Sequence, residues 1–173
     1  MQTSLQTHIQ QRIDALHYDF KAFTLEAFLI WIGEKRKRSI QVYDVGFTSQ
    51  LFGFWCPTES QDYIFVKASL HPTHRIHVVL HEIAHILLNH KGFKLEEVLT
   101  PALLRELAHP TANAYLRAPA SYPSTTIEEQ EAECFVALIQ QRLMKLNRLR
   151  ELYGEGTSIP ALKPYAQGFD FTR

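Results

Sequence analysis

Cysteine is scarce: only Cys56 and Cys134 occur in 173 residues, so no disulfide framework or cysteine-rich zinc module can be built. That usage suits a reducing compartment. Long hydrophobic runs are missing too. The longest, Ala27 to Ile32, is far too short to span a bilayer. The opening MQTSLQTHIQQRIDAL is polar and helical in pattern, unlike a signal peptide. These absences predict a soluble cytoplasmic protein with no membrane association. No charge of one sign dominates either. Lys plus Arg is 18, Asp plus Glu is 18, and the net charge is zero, which lacks the field of a dedicated nucleic-acid binder. Repeats, low-complexity tracts and clear linkers are also absent. Hydrophobic residues at 46% and charged residues at 21% exclude wholesale disorder.

What remains reads as one domain over 1–173: N-terminal helices to residue 38, a core from 39 to 152 and an irregular tail from 153. Leu5, Ile9, Ile13, Leu16 and Phe20 keep helical spacing. A second helix starts at Thr24 and ends in the basic run Glu34 to Arg38, which reads as a solvated helix end. Three strand-like pieces follow, Ile40 to Phe47, Leu51 to Cys56 and Tyr63 to Leu70. Their short spacings predict an antiparallel meander. His71-Pro72-Thr73 starts a helix that runs to about Lys91, with Gly92 as the stop. A short helix is expected from Thr100 to near His109, and a long one from about Ile127 to Leu152.

Histidine is abundant instead. There are 9, and six of them lie between His71 and His90. His81-Glu-Ile-Ala-His85 is an H-E-x-x-H motif. On a helix the two histidines fall one turn apart on one face, close enough for both to reach one Zn²⁺. Glu82 is rotated from His81 by about 100°. It flanks the metal rather than binding it, where it can take a proton from an activated water. Ile76, Leu80, Ile83 and Leu87 occupy the opposite side, between about 200° and 260° from His81.

A catalytic zinc site keeps three protein ligands and one open position. The third is sought in Glu128-Glu-Gln-Glu-Ala-Glu133. Glu129 and Glu133 share the polar face of the last helix, so either could face the zinc while the other holds a histidine. Glu131 falls about 200° from Glu129, with the core residues. His77 is read as lining the cleft, and His71, His74 and His90 as surface or capping residues. Tyr115, Tyr122 and His109 are candidate oxyanion donors. Cys134 reads as a small core residue. Two imidazoles and a carboxylate suit Zn²⁺, though also Mn²⁺ or Fe²⁺.

His81 to Asn89 (HEIAHILLN) and Glu129 to Ala137 (EQEAECFVA) resemble the two core motifs of the ImmA/IrrE metallopeptidases, and Arg75 to Leu80 resembles their lead-in. The resemblance runs from about Ile40 to Met144. It implies an α+β, zincin-like fold: a small, mostly antiparallel sheet packed with helices, one of which carries the motif. It implies a gluzincin-like zinc endopeptidase with His81, His85 and Glu129 as ligands and Glu82 as catalytic base. The implied role is regulatory, the implied substrate a helix-turn-helix repressor. Glu133 stands where the family has Asn or Asp, and Leu138 to Gln141 lacks a Leu-Met-Pro ending. Those departures motivate an alternative, a catalytically silent zinc-binding module that senses or sequesters a DNA-binding partner. Direct nucleic-acid contact through Lys35 to Arg38 is not expected, given the zero net charge. Extended peptides add to an edge strand in such clefts, and Tyr63 to Leu70 is the expected edge.

Overall fold

A computed structural model describes residues 2–47, 52–93, 115–116 and 125–153. In chain order the elements are α1 (Gln2–Asp14), a short 3-10 turn (Phe20–Ala22), α2 (Leu25–Arg36), β1 (Ser39–Phe47), β2 (Gly53–Pro57), β3 (Gln61–Lys67), α3 (Pro72–Leu88), β4 (Tyr115–Leu116) and α4 (Thr126–Tyr153). The fold is α+β, as expected. The expected helix over 100–109 and the tail after Gly154 lie outside the described residues. Among the described residues no helix is long and apolar enough to cross a membrane.

Local chemistry sets the boundaries. The α1 pattern stops early: His17 adopts a left-handed φ of 53°, and Phe20 joins the 3-10 turn instead of the helix. Thr24 caps α2 as expected, its hydroxyl accepting from the Ala27 N–H at 3.0 Å. α3 ends at Leu88 rather than near Lys91, because Asn89 takes the left-handed cap (φ 60°, ψ 39°). Gly92 serves closeness rather than stopping the helix. A Cβ there would stand 2.5 Å from Pro57 Cδ and 2.9 Å from the Trp55 ring.

The sheet order is β2-β3-β1-β4. β2 and β3 form an antiparallel hairpin, but β1 pairs parallel with β3 and with β4. The sheet is therefore mixed, not mostly antiparallel. β3 is also not the edge that was expected. It lies between β2 and β1, and β2 is on the outside. Arg38 explains the arrangement. It leads into β1 and wraps the β2–β3 turn, donating to the Glu59 carbonyl at 2.9 Å, to the Thr58 carbonyl, and to the Asp62 carboxylate at 3.1 Å. That grip sets the start of β1 beside the start of β3, where Ser39 pairs with Gln61.

Asp62 is fully buried and holds three partners: Arg38, Arg36 at 3.3 Å and the Trp55 indole N–H at 3.3 Å. The basic run is thus only partly a solvated helix end. Two of its four cations neutralise a buried carboxylate, which would be costly to bury alone.

Alternation along β3 sends Ile64 and Val66 into the core with Trp55, Phe28, Ile32, Leu80 and Ile83. Phe65 faces the other way, against Tyr43 and Phe54. α3 lies between the sheet and α4, and α1 lies against α4. This places the polar faces of α3 and α4 opposite each other at one border of the core.

Candidate metal centre

Both helices that carry the expected site residues start at defined caps. His71 caps α3, its Nδ1 accepting from the Thr73 N–H, with Pro72 in the first turn. At the start of α4, Thr125 and Glu128 form a reciprocal pair. The Thr125 N–H donates to the Glu128 carboxylate, and the Glu128 N–H donates to Thr125 Oγ1 at 3.2 Å. The next residue is Glu129, so this cap fixes the turn from which its carboxylate reaches α3.

His81, His85 and Glu129 come together. His81 Nε2 is 3.0 Å from His85 Nε2 and 3.2 Å from Glu129 Oε2, and His85 Nε2 is 3.5 Å from Glu129 Oε1. One ligand atom from each residue lies within 4.8 Å of the other two. Glu82 is buried and shares a cleft of about 360 Å³ with Phe52, Gly53, His77, Val78 and His81. A Cβ on Gly53 would stand 2.4 Å from Val78 Cγ1 and 3.6 Å from Glu82 Oε1, so only glycine lets β2 approach α3 this closely.

Glu133 faces the same histidine from the other side. Its Oε1 is 3.0 Å from His81 Nδ1, at ion-pair distance though outside hydrogen-bond angles. Its Oε2 is 3.5 Å from His77 Nε2. The two histidines hold the Glu133 carboxyl well below the usual carboxylate range. His77, His81 and Glu133 form a second group with ligand-type atoms in reach of one another. It shares His81 with the first.

The donor set fits a divalent cation. Burial, and then the positive potential of His81, hold the His85 pKa down to about 3. The ring is therefore neutral, as a ligand must be. Burial also opposes charge on His81, but Glu133, Glu82 and Glu129 outweigh it and raise its pKa. That excess of carboxylate around two imidazoles is what a cation would balance. Two imidazole nitrogens and one carboxylate oxygen, beside an open cleft, match a three-ligand zinc site.

Two residues escape the sequence reading. His90 is buried, not a surface residue. Its Nδ1 is 2.9 Å from His85 Nδ1, and its Nε2 is 3.0 Å from Glu131 Oε2. A charged residue at a core angle of α4 was the available signal, because a carboxylate there needs a buried partner. His77 lines the cleft as expected, and His74 joins it beside Phe52, with ring centroids 4.8 Å apart. Cys134 is half-buried and packs against the core. Of the candidate oxyanion donors, His109 and Tyr122 lie outside the described residues, and Tyr115 is placed only by its backbone in β4.

Residues 30–140, well over half of the chain, match the IrrE N-terminal-like domain (Peptidase_M78). No curated protein and no solved structure matches the chain.

Proposed function

The chain belongs to the IrrE N-terminal-like domain family, a family of metallopeptidase type, and from that premise we propose that it is a zinc-dependent endopeptidase. The observation that carries this reading is the convergence of His81, His85 and Glu129, with Glu82 buried beside them in one cleft. When bound, Zn²⁺ would supply Lewis acidity, polarising the scissile carbonyl and lowering the pKa of a water to about 7.

The chain's own residues do the rest. His81, His85 and Glu129 hold the cation. Glu82 takes a proton from the attacking water and returns it to the leaving amine. Its burial beside Val78 and Gly53 keeps the carboxylate in one place, so little reorganisation is needed. β2 is the edge strand on the cleft side, where Gly53 at its start lines the cleft, so an extended peptide would add along β2 rather than β3.

The reading extends to a regulatory role in the cytoplasm on a helix-turn-helix repressor. The two motifs support the substrate class through their likeness to ImmA/IrrE peptidases, and two cysteines outside any disulfide suit the compartment. The test is incubation of zinc-loaded wild type and Glu82→Gln with the helix-turn-helix repressor encoded nearest to it. Wild type should release fragments cut at a defined bond, while Glu82→Gln keeps its zinc and leaves the repressor whole. Cleavage by Glu82→Gln would overturn the assigned role of Glu82. A repressor held intact by zinc-loaded wild type would favour the silent binding module.

A further inference from the structure

We propose that His90 and Glu131 are positioning residues that fix the tautomer and aim of His85, so that its Nε2 lone pair points at the cation site. The inference rests on the metal-centre reading above and adds two residues to it. It starts from the backbone. Asn89 in its left-handed cap folds the chain back, and the His90 N–H donates to the His85 carbonyl at 3.0 Å. That return places the His90 ring on the inner side of His85, with Nδ1 facing Nδ1 at 2.9 Å. From α4, Glu131 Oε2 meets His90 Nε2 at 3.0 Å. The side chains of His85 and His90 are 0% and 4% exposed, so water cannot substitute for a missing partner.

With both rings neutral, as a metal-binding histidine and its partner must be, proton counting then selects one arrangement. Only one proton can sit between the two facing Nδ1 atoms. If His85 holds it, His85 donates to His90, and His90 carries its own proton on Nε2 and donates to Glu131. Every group is matched, and His85 Nε2 is left bare toward His81 and Glu129. If His90 holds the shared proton, its buried Nε2 lone pair faces the part-buried Glu131 carboxylate, lone pair against lone pair. The negative charge on Glu131 therefore disfavours the second arrangement. It acts on the ligand through His90, as carboxylates behind metal-bound histidines do directly.

The test reads zinc affinity by chelator competition, together with ring ¹⁵N shifts of the metal-free protein. In wild type, His85 should carry its proton on Nδ1 and His90 on Nε2. Glu131→Gln keeps the shape and removes the charge. It should mix the two tautomers of His85 and weaken zinc by about 10-fold, at the low end of the effect of losing such a partner. His90→Phe should cost about 10- to 100-fold. His90→Asn, whose amide oxygen can accept in place of Nδ1, should recover part of that loss, which a purely structural role for the ring would not predict. Metal-free unfolding midpoints show whether each variant is folded, and the wild-type ¹⁵N reading needs no variant. The proposal is overturned if wild-type His85 is protonated on Nε2, or if Glu131→Gln and His90→Phe hold zinc as wild type does. In the latter case the metal centre itself stands. A wild type that takes up no zinc removes both.

Discussion

Arg36 donates to the Ile86 carbonyl at 3.0 Å, tying the end of α2 to the last turn of the helix that carries His81 and His85. The same guanidinium pairs with Asp62 at 3.3 Å, so a single buried carboxylate braces α2, the sheet and, through Arg36, α3. Asp62→Ala should cost about 3 kcal/mol, the lower end for removing one partner of a buried ion pair, since both arginines are partly exposed and can turn toward water. Urea unfolding of the metal-free protein measures it. A loss below about 1 kcal/mol would show that the brace is not made.

Gly53 meets Val78 with no room for a side chain. A Cβ would stand 2.4 Å from Val78 Cγ1 and 3.0 Å from the Phe65 carbonyl. Gly53→Ala should therefore destabilise by about 1–3 kcal/mol, the usual range for overpacking. Val78→Ala should relieve much of this. The coupling between the two, read from a double-mutant cycle in denaturant, should reach about 1 kcal/mol or more. Additive effects would mean that β2 and α3 are further apart than described.

The cap of α4 gives a pH-dependent prediction. The backbone N–H of Thr125 donates to Glu128 and lowers its pKa below the ordinary 4.5. A carboxylate lowered on folding adds stability above its unfolded pKa and loses it as pH falls through the folded value. Glu128→Ala should thus destabilise near neutral pH, by under about 1 kcal/mol for so exposed a group. The gap to wild type should close as the solution is acidified below 4.5. Thermal melts across that range check it. A gap that widens on acidification would contradict the sign.

Much of the site was legible because helix periodicity is local. His81, Glu82 and His85 need only one helix. Of its apolar positions, Leu80 and Ile83 are buried and Ile76 and Leu87 only partly so, while Val78, Glu82 and His85 are buried on the opposite side because α4 and β2 cover it. The choice between Glu129 and Glu133 needed a second helix and its rotation, which the sequence left open. In the structure both reach His81, Glu129 at Nε2 and Glu133 at Nδ1, and only Glu129 also reaches His85 among the described contacts. Strand order was not legible. Short connections favour a meander, but the buried Asp62 with Arg36 and Arg38 draws β1 alongside β3 in parallel and leaves β2 outside. An aspartate flanked by Gln61 and Tyr63 carries no mark of burial until its cationic partners, more than twenty residues upstream, are placed. His90 was missed for a related reason. A helix running on to Lys91 turns His90 away from His85, whereas the left-handed cap at Asn89 folds it back onto that ring.

The most direct test is elemental metal analysis of the purified, zinc-reloaded protein beside Glu129→Ala and Glu133→Ala. Wild type should hold about one zinc per chain, Glu129→Ala should lose it and Glu133→Ala should keep it, because three protein ligands hold a catalytic zinc and leave its fourth position open. A wild type that holds no zinc, or zinc that survives Glu129→Ala but not Glu133→Ala, would contradict it.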